Sequence, residues 1–272
     1  MELELDPAIA AHYRHGLEHE RLAVGNRLEA VRTSELLERF LPRPPAVVVD
    51  VGGGTGAYAL PLARAGYEVH LLDAFEPHVR QARAGSEKQP DAPLRLVTLG
   101  DARALPFSDA TADALLLFGP LYHLPDAGDR VQALNEARRV LRPDGVLLAA
   151  AISRFASTYD GIRTGAIANP LFEQIVTGDL QNGVHDNPDP QGRPEWFTLA
   201  YFHRPDELLG EVRDAGFAHA QVLAIEGPGA FRDVDAMLAE PEKRDALLRA
   251  IRRVESEPEL LGASSHLMVI AH

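Results

Sequence analysis

The sequence predicts an α/β protein: a mostly parallel sheet covered by helices on both faces. Three observations carry this. The first is the stretch "VVVDVGGGTGAY" at residues 47–58, where an apolar run ends in an acid and enters a loop almost without side chains. The second is that further short runs, apolar throughout, alternate with amphipathic stretches. Strands buried on both faces have this composition. The third is that Asp50, Asp73 and Asp101 each stand at or just beyond the end of one of the first three such runs.

Before the alternation, residues 1–45 form a predicted helical cap. Leu28, Val31, Leu36, Leu37 and Phe40 fall near helical spacing, and Pro42, Pro44 and Pro45 stop the segment. Then follow strand 46–51, helix 56–65, strand 68–73, helix 76–84 and strand 94–99. A fourth strand is predicted at 114–118, a helix at 129–141 stopped by "RPDG", and a fifth strand at 146–152. Residues 153–202 break the rhythm with Gly, Pro, Asn and Asp clusters and scattered aromatics. A segment of this kind inside a compact domain suits a lid. Helix 205–215 and strand 218–226 resume the pattern, a charged helical stretch at 231–254 lies within a second insertion over 227–262, and "SSHLMVIAH" supplies a final strand. The expected organisation is therefore a cap over 1–45 and one domain over 46–272 carrying two insertions.

Composition limits the partners. The chain has 272 residues and a net charge of −13, which disfavours nucleic acid and anionic membrane surfaces, since both need a basic footprint. It has no cysteine, so thiolate chemistry and disulfides are excluded. "MELELDPAIA" lacks the features of a secretory leader, and no apolar run is long enough to span a membrane, so the expected setting is cytoplasmic.

A loop of glycines lets a ligand approach the backbone, and between strand and helix it aims amide N–H groups at an electron-rich group. Gly52-x-Gly54-x-x-Ala57 followed about twenty residues later by Asp73 fits a dinucleotide fingerprint, which keeps an NAD-linked oxidoreductase as an alternative. Gly52-x-Gly54-x-Gly56 fits equally well, and Asp50 separates the two readings. A carboxylate repels a diphosphate and attracts a cation in a partly dry crevice.

These motifs resemble those of the class I S-adenosylmethionine-dependent methyltransferases. "VVVDVGGGTG" is similar to that family's first motif, "LLDAFE" to its second, "LGDARALPF" to its third, and "ADALLLFGPLYHL" and "EARRVLRPDGVLLAA" to the fourth and fifth strand regions. The resemblance covers roughly residues 46–226 and the final strand. It implies a Rossmann-like, doubly wound sheet of seven strands in the order 3-2-1-4-5-7-6 with the last antiparallel. It further implies S-adenosylmethionine as cofactor, S-adenosylhomocysteine as product, and a small-molecule acceptor methylated on oxygen or nitrogen. In those terms Gly52, Gly53, Gly54 and Gly56 pack on the cofactor, with Asp50 at its aminoacyl end. Asp73 with Ala74 takes the ribose, Asp101 with Ala102 the adenine, and Phe118 the adenine side. A cofactor-binding protein without activity is the remaining alternative.

Beside the methyl position, His123 is the candidate base, because a neutral imidazole accepts a proton near pH 7. Tyr13, Arg21, Tyr122, Arg154, Phe155, Tyr159, His185 and Trp196 are the candidate acceptor contacts. His15 and His19 have the spacing of a helical metal pair, but no further ligand set is evident and a solvated helix face is the reading adopted, with no metal site. Phe118 and Gly119 stand where metal-assisted relatives carry an acid, which also argues against a metal-assisted mechanism.

Overall fold

The computed structural model describes residues 5–14, 27–231 and 234–272. Two helices, α1 (Pro7–Arg14) and α2 (Arg27–Phe40), precede the sheet. Then come β1 (Val47–Val51), α3 (Ala59–Arg64), β2 (Glu68–Asp73), α4 (Glu76–Glu87), β3 (Leu96–Leu99) and β4 (Ala112–Phe118). A short helix α5 (Pro120–His123) leads to α6 (Ala127–Val140) and β5 (Leu141–Ser153).

The pairings run β3-β2-β1-β4-β5 in parallel, then β5 to β9 (His266–Ala271) and β9 to β8 (Ala220–Ala224), both antiparallel. Counting only the seven strands expected from the sequence, this is the order 3-2-1-4-5-7-6 with an antiparallel last strand. The fold is the Rossmann-like methyltransferase fold.

Successive side chains of a strand point to opposite faces, and here both faces are covered. Val49, Val51, Leu115, Leu117 and Leu147 pack with Leu134 and Val140 of α6 and with Leu208 and Val212 of α9 (Pro205–Asp214). Val48, Leu116 and Leu148 pack on the other side with Leu36 and Leu37 of α2 and Ala63 of α3. The central strands are fully buried, which explains why they are apolar throughout.

Three local differences from the sequence reading matter. The "RPDG" stretch follows the end of α6 as expected but already belongs to β5, because a register shift between Ala112 and Ala114 lets Leu141 pair with Ala112. Helix α6 starts at Ala127, two residues early, because Asp126 accepts hydrogen bonds from the amides of Gly128 and Asp129 and so caps it. Residues 153–202 are not mainly loop. They fold into α7 (Ala156–Thr164), α8 (Pro170–Asn182), and the strands β6 (Val184–His185) and β7 (Ala200–His203). Strand β7 pairs with Ile152 and Ser153 of β5, beyond the end of β4. That pairing brings residues 196–202 beside the α5 turn. Two helices, α10 (Asp235–Ala239) and α11 (Pro241–Arg252), follow β8, and α12 (Pro258–Leu261) precedes β9. Among the described residues no helix is long and apolar enough to cross a membrane.

Candidate functional site

The glycine loop is folded back over β2. The amides of Gly52 and Gly53 donate to Leu72 O at 2.8 and 3.3 Å, and Gly54 N donates to Asp73 Oδ2 at 2.8 Å. Gly52, Gly54 and Gly56 have φ of 75°, 56° and 89°, which a side chain would strain. Gly53 is glycine for a different reason. A Cβ there would lie 2.7 Å from Asp50 Oδ2 and 2.8 Å from Leu71 Cγ.

A cavity of about 290 Å³ opens at the carboxyl ends of β1 to β4. It is lined by Gly52, Gly54, Asp73, Ala74, Asp101, Ala102 and Phe118, together with Ile9 and Tyr13 of α1. Ligand sites in such sheets lie at this end. Asp73 Oδ1 also accepts from Phe75 N at 2.8 Å and faces His78 Nδ1 at 3.3 Å. Asp50 and Gly53 lie beneath the loop rather than on the cavity surface. The Asp50 carboxyl is 1% exposed and neither oxygen has a hydrogen-bond partner. Burial, with the Asp73 charge adding to it, pushes this carboxyl up to about 7.

A second cavity, of about 620 Å³, adjoins the first, and Tyr13 and Tyr122 line both. Its wall is strongly aromatic: Tyr159, Phe172, Trp196, Phe197 and Phe202 line it. Residues 227–235 contribute Gly229, Ala230, Val234 and Asp235, so both insertions meet at one cavity.

Three comparisons bear on this geometry. Residues 49–149 match the family model described as a methyltransferase domain. The chain is 35% identical over 202 residues to the ubiquinone/menaquinone biosynthesis C-methyltransferase UbiE of Caulobacter sp. (strain K31), across 70% of this chain and 74% of the relative. It is 33% identical over 206 residues to demethylmenaquinone methyltransferase of Streptomyces avermitilis, across 75% and 81%. The chain belongs to the class I S-adenosylmethionine-dependent methyltransferases. A solved methyltransferase of Thermotoga maritima, described as a possible histamine N-methyltransferase, shares the fold with a TM-score of 0.58 at 18% identity, across 96% of this chain and 98% of that one.

The cofactor of this methyltransferase is S-adenosylmethionine, and the smaller cavity fits it. The Asp50 carboxyl lies beneath the glycine loop without a hydrogen-bond partner, and an ammonium at the cofactor's aminoacyl end in the cavity above it would favour its charged form. Gly54 leaves open space where a Cβ would stand. Asp101 holds a partner the sequence did not suggest: Arg103 donates to it through Nε at 3.0 and 3.1 Å and through Nη2 at 2.6 Å. Burial works to raise this carboxyl, and the Arg103 hydrogen bonds and charge more than offset that, leaving it below the usual carboxylate range. Gly56 faces Leu60 and packs the loop onto α3 instead of lining the cavity.

The acceptor candidates divide. Tyr13, Tyr122, Tyr159, His185 and Trp196 line the larger cavity. Arg154 does not. Its guanidinium is buried and donates to Phe202 O at 2.7 Å and Glu207 at 2.6 Å, tying β7 to α9. Phe155 also lies off the cavity, against Gly262 and under the Arg204 guanidinium. His185 reaches the wall, but both ring nitrogens are occupied, Nδ1 by Asp179 at 3.1 Å and Nε2 by the Trp196 carbonyl at 2.8 Å. It therefore shapes the cavity and has no hydrogen bond left for an acceptor. Arg21, His15 and His19 lie outside the described residues.

His123 faces the smaller cavity with its Nε2 2.5 Å from the Tyr13 hydroxyl. Burial, and next the nearby His12, pull its imidazole down to about 3. The ring is neutral at physiological pH as expected, but it is a far weaker base than an ordinary histidine.

Phe197, Phe202, Glu29, Glu226 and His266 line the larger cavity and were not singled out from the sequence. Ligand-type atoms of the last three lie within 4.8 Å of one another. Glu226 is held by Ser264 Oγ at 2.8 Å and by His266 N at 3.0 Å. Only the place of residue 226 at the end of the strand expected over 218–226 could have flagged it. Phe197 has no local signal at all.

Proposed function

We propose that this methyltransferase transfers the methyl group to a ring carbon of a hydroxylated aromatic small molecule held in the larger cavity. The observation that carries the proposal is the aromatic wall of that cavity, in which Tyr122, shared with the cofactor cavity, packs in one cluster with Phe197 and Phe202. Such walls favour a planar ring through offset and edge-to-face contacts. The relatives at 33–35% identity are named for methylation in quinone biosynthesis, which moves the reading from oxygen or nitrogen to carbon.

Bound in the smaller cavity, the cofactor supplies an electrophilic methyl. Asp50 would favour its aminoacyl end electrostatically from beneath the loop, with Asp73 and Ala74 at its ribose, Asp101 and Ala102 at its adenine, and Phe118 beside them. The chain's own contribution is to hold the acceptor ring in line through Tyr13 and Tyr122 at the junction of the cavities. Such alignment lowers a bimolecular barrier by about 7–11 kcal/mol at best.

An amine acceptor is the second reading, favoured by Glu29 and Glu226 on one wall. Turnover with S-adenosylmethionine against hydroquinones, phenols and arylamines, read by mass spectrometry and product NMR, separates the two. Methyl on ring carbon supports the proposal. Methyl on nitrogen alone would transfer it to the second reading.

A further inference from the structure

Tyr13 belongs to α1, a helix outside the sheet, yet it lines both cavities. Its ring is held edge-on to His78 at 4.8 Å and tilted against Phe75 at 5.8 Å. Its hydroxyl meets His123 Nε2 at 2.5 Å, across 110 residues of sequence.

We propose that Tyr13 and His123 form a proton relay: the Tyr13 oxygen takes the acceptor's hydroxyl proton while Tyr13 passes its own proton to His123 Nε2. The proposal rests on the acceptor reading above.

The argument starts from hydrogen-bond direction. A neutral imidazole has one N–H and one lone pair, and a phenol can donate once. If Tyr13 donates to Nε2, the ring proton must sit on Nδ1, and a phenol oxygen that gives up its own proton can accept another. In the opposite tautomer Nε2–H would donate to Tyr13, and the imidazole would present no lone pair to take the phenol's proton. Nδ1 makes no hydrogen bond of ordinary geometry, and the Leu199 backbone is a hydrogen-bonding group beside the ring. The groups around the imidazole are His12 and Tyr13 of α1, His78 of α4, Asp73 at the end of β2, and Tyr122 on its own helix. Desolvation keeps the ring neutral among them.

A weak base suffices if the proton leaves late. An acceptor hydroxyl becomes strongly acidic as its ring carbon bonds to the methyl, so proton transfer follows bond formation. The electrons balance. The ring carbon's electron pair forms the new bond to the methyl carbon, and the methyl–sulfur bond breaks with its pair left on sulfur. The hydroxyl becomes a carbonyl as its proton goes to the Tyr13 oxygen. The Tyr13 proton completes an imidazolium at His123, which water discharges, and the keto product enolises to restore the ring.

Tyr13→Phe keeps the ring contacts and removes only the hydroxyl. It should lower kcat about 10²-fold or more, the range for a lost acid–base group. The acceptor KM and the calorimetric affinity for S-adenosylhomocysteine should stay within about threefold, since neither depends on proton transfer. His123→Gln should lower kcat by a similar factor, and the double variant should be no worse than either single one, because the two act as a unit. Independently of turnover, ¹⁵N NMR of His123 should show the neutral Nδ1-protonated tautomer across pH 5–8, with the Nε2 resonance shifting in Tyr13→Phe. Wild-type rates in Tyr13→Phe, multiplicative losses in the double variant, or an Nε2-protonated ring would each overturn the relay. If the wild type turns over no hydroxylated aromatic, the acceptor reading fails, and the NMR result still decides whether the pair has the direction proposed.

Discussion

Replacing Asp50 with Asn should change both the stability of the free protein and its proton balance on binding. The carboxyl is 1% exposed, lacks any hydrogen-bond partner and is pushed up from 3.8 to about 7, by burial first and Asp73 second. An acid with a raised folded pKa adds stability that is complete below 3.8 and is lost as pH rises through 7. A shift of about three units corresponds to roughly 4 kcal/mol. An amide does not titrate, so stability of Asp50→Asn relative to wild type should rise by up to about 4 kcal/mol between pH 4 and pH 8. Taking the difference between the two proteins cancels the titration of every other group, His123 included. Thermal unfolding reads this as a change in the Tm difference of about 2–4 °C per kcal/mol. Binding provides the second readout. A ligand ammonium near Asp50 favours its charged form, so S-adenosylhomocysteine should expel up to about 0.9 proton per site at pH 6 and almost none at pH 9. Calorimetry in buffers of different ionisation enthalpy measures that number. A Tm difference that is flat with pH, together with no proton release at pH 6, would refute the assignment of Asp50 as the neutral, buried partner of the aminoacyl group.

Other outcomes follow from the same geometry. Gly53→Ala would place a methyl 2.7 Å from Asp50 Oδ2 and 2.8 Å from Leu71 Cγ. Overpacking of this kind costs about 1–3 kcal/mol, and calorimetry should show S-adenosylhomocysteine affinity reduced about tenfold or more as the loop shifts. Asp73→Ala strips the amides of Gly54 and Phe75 of acceptors at 2.8 Å each. Each orphaned amide costs about 1–3 kcal/mol, so a lower Tm and weaker ligand binding should appear together. Arg130→Met leaves Glu211, its partner at 2.6 Å, without its main counter-charge, and removes donors to the Leu124 and Pro125 carbonyls. Breaking a buried pair costs about 3–5 kcal/mol. An urea midpoint equal to wild type would show that the network beneath β7 is not structural, whereas partial recovery in Arg130→Met/Glu211→Leu is expected.

Most of the lining of the smaller cavity is local to strand ends in sequence, and so its grouping was legible there. Asp50, the glycines, Asp73, Asp101 and Phe118 each sit at a strand end, and a parallel sheet brings strand ends together whatever the details. Two effects blurred the edges. Asp126 as a cap moved the start of α6, and a register shift drew residues 141–145 into β5. Arg154 was misassigned because a cation in an insertion gives no sign from sequence that Glu207 and the Phe202 carbonyl neutralise and bury it.

By itself, then, the sequence determined the alternation of strands and helices and the strand ends that carry the acids, because periodic burial and backbone turns act over a few residues, while the sheet order and the methyltransferase family followed from the resemblance of its motifs to a known family. The tertiary structure alone decided the acceptor side. Tyr13 meets His123, and Phe197 meets both Tyr122 and His123, only because α1 lies over the sheet's carboxyl end and β7 pairs beyond β4. It also decided the chemistry of the two groups that matter most. Asp50 is pushed up and His123 pulled down by the same desolvation, a property of the closed fold that no spacing of residues encodes.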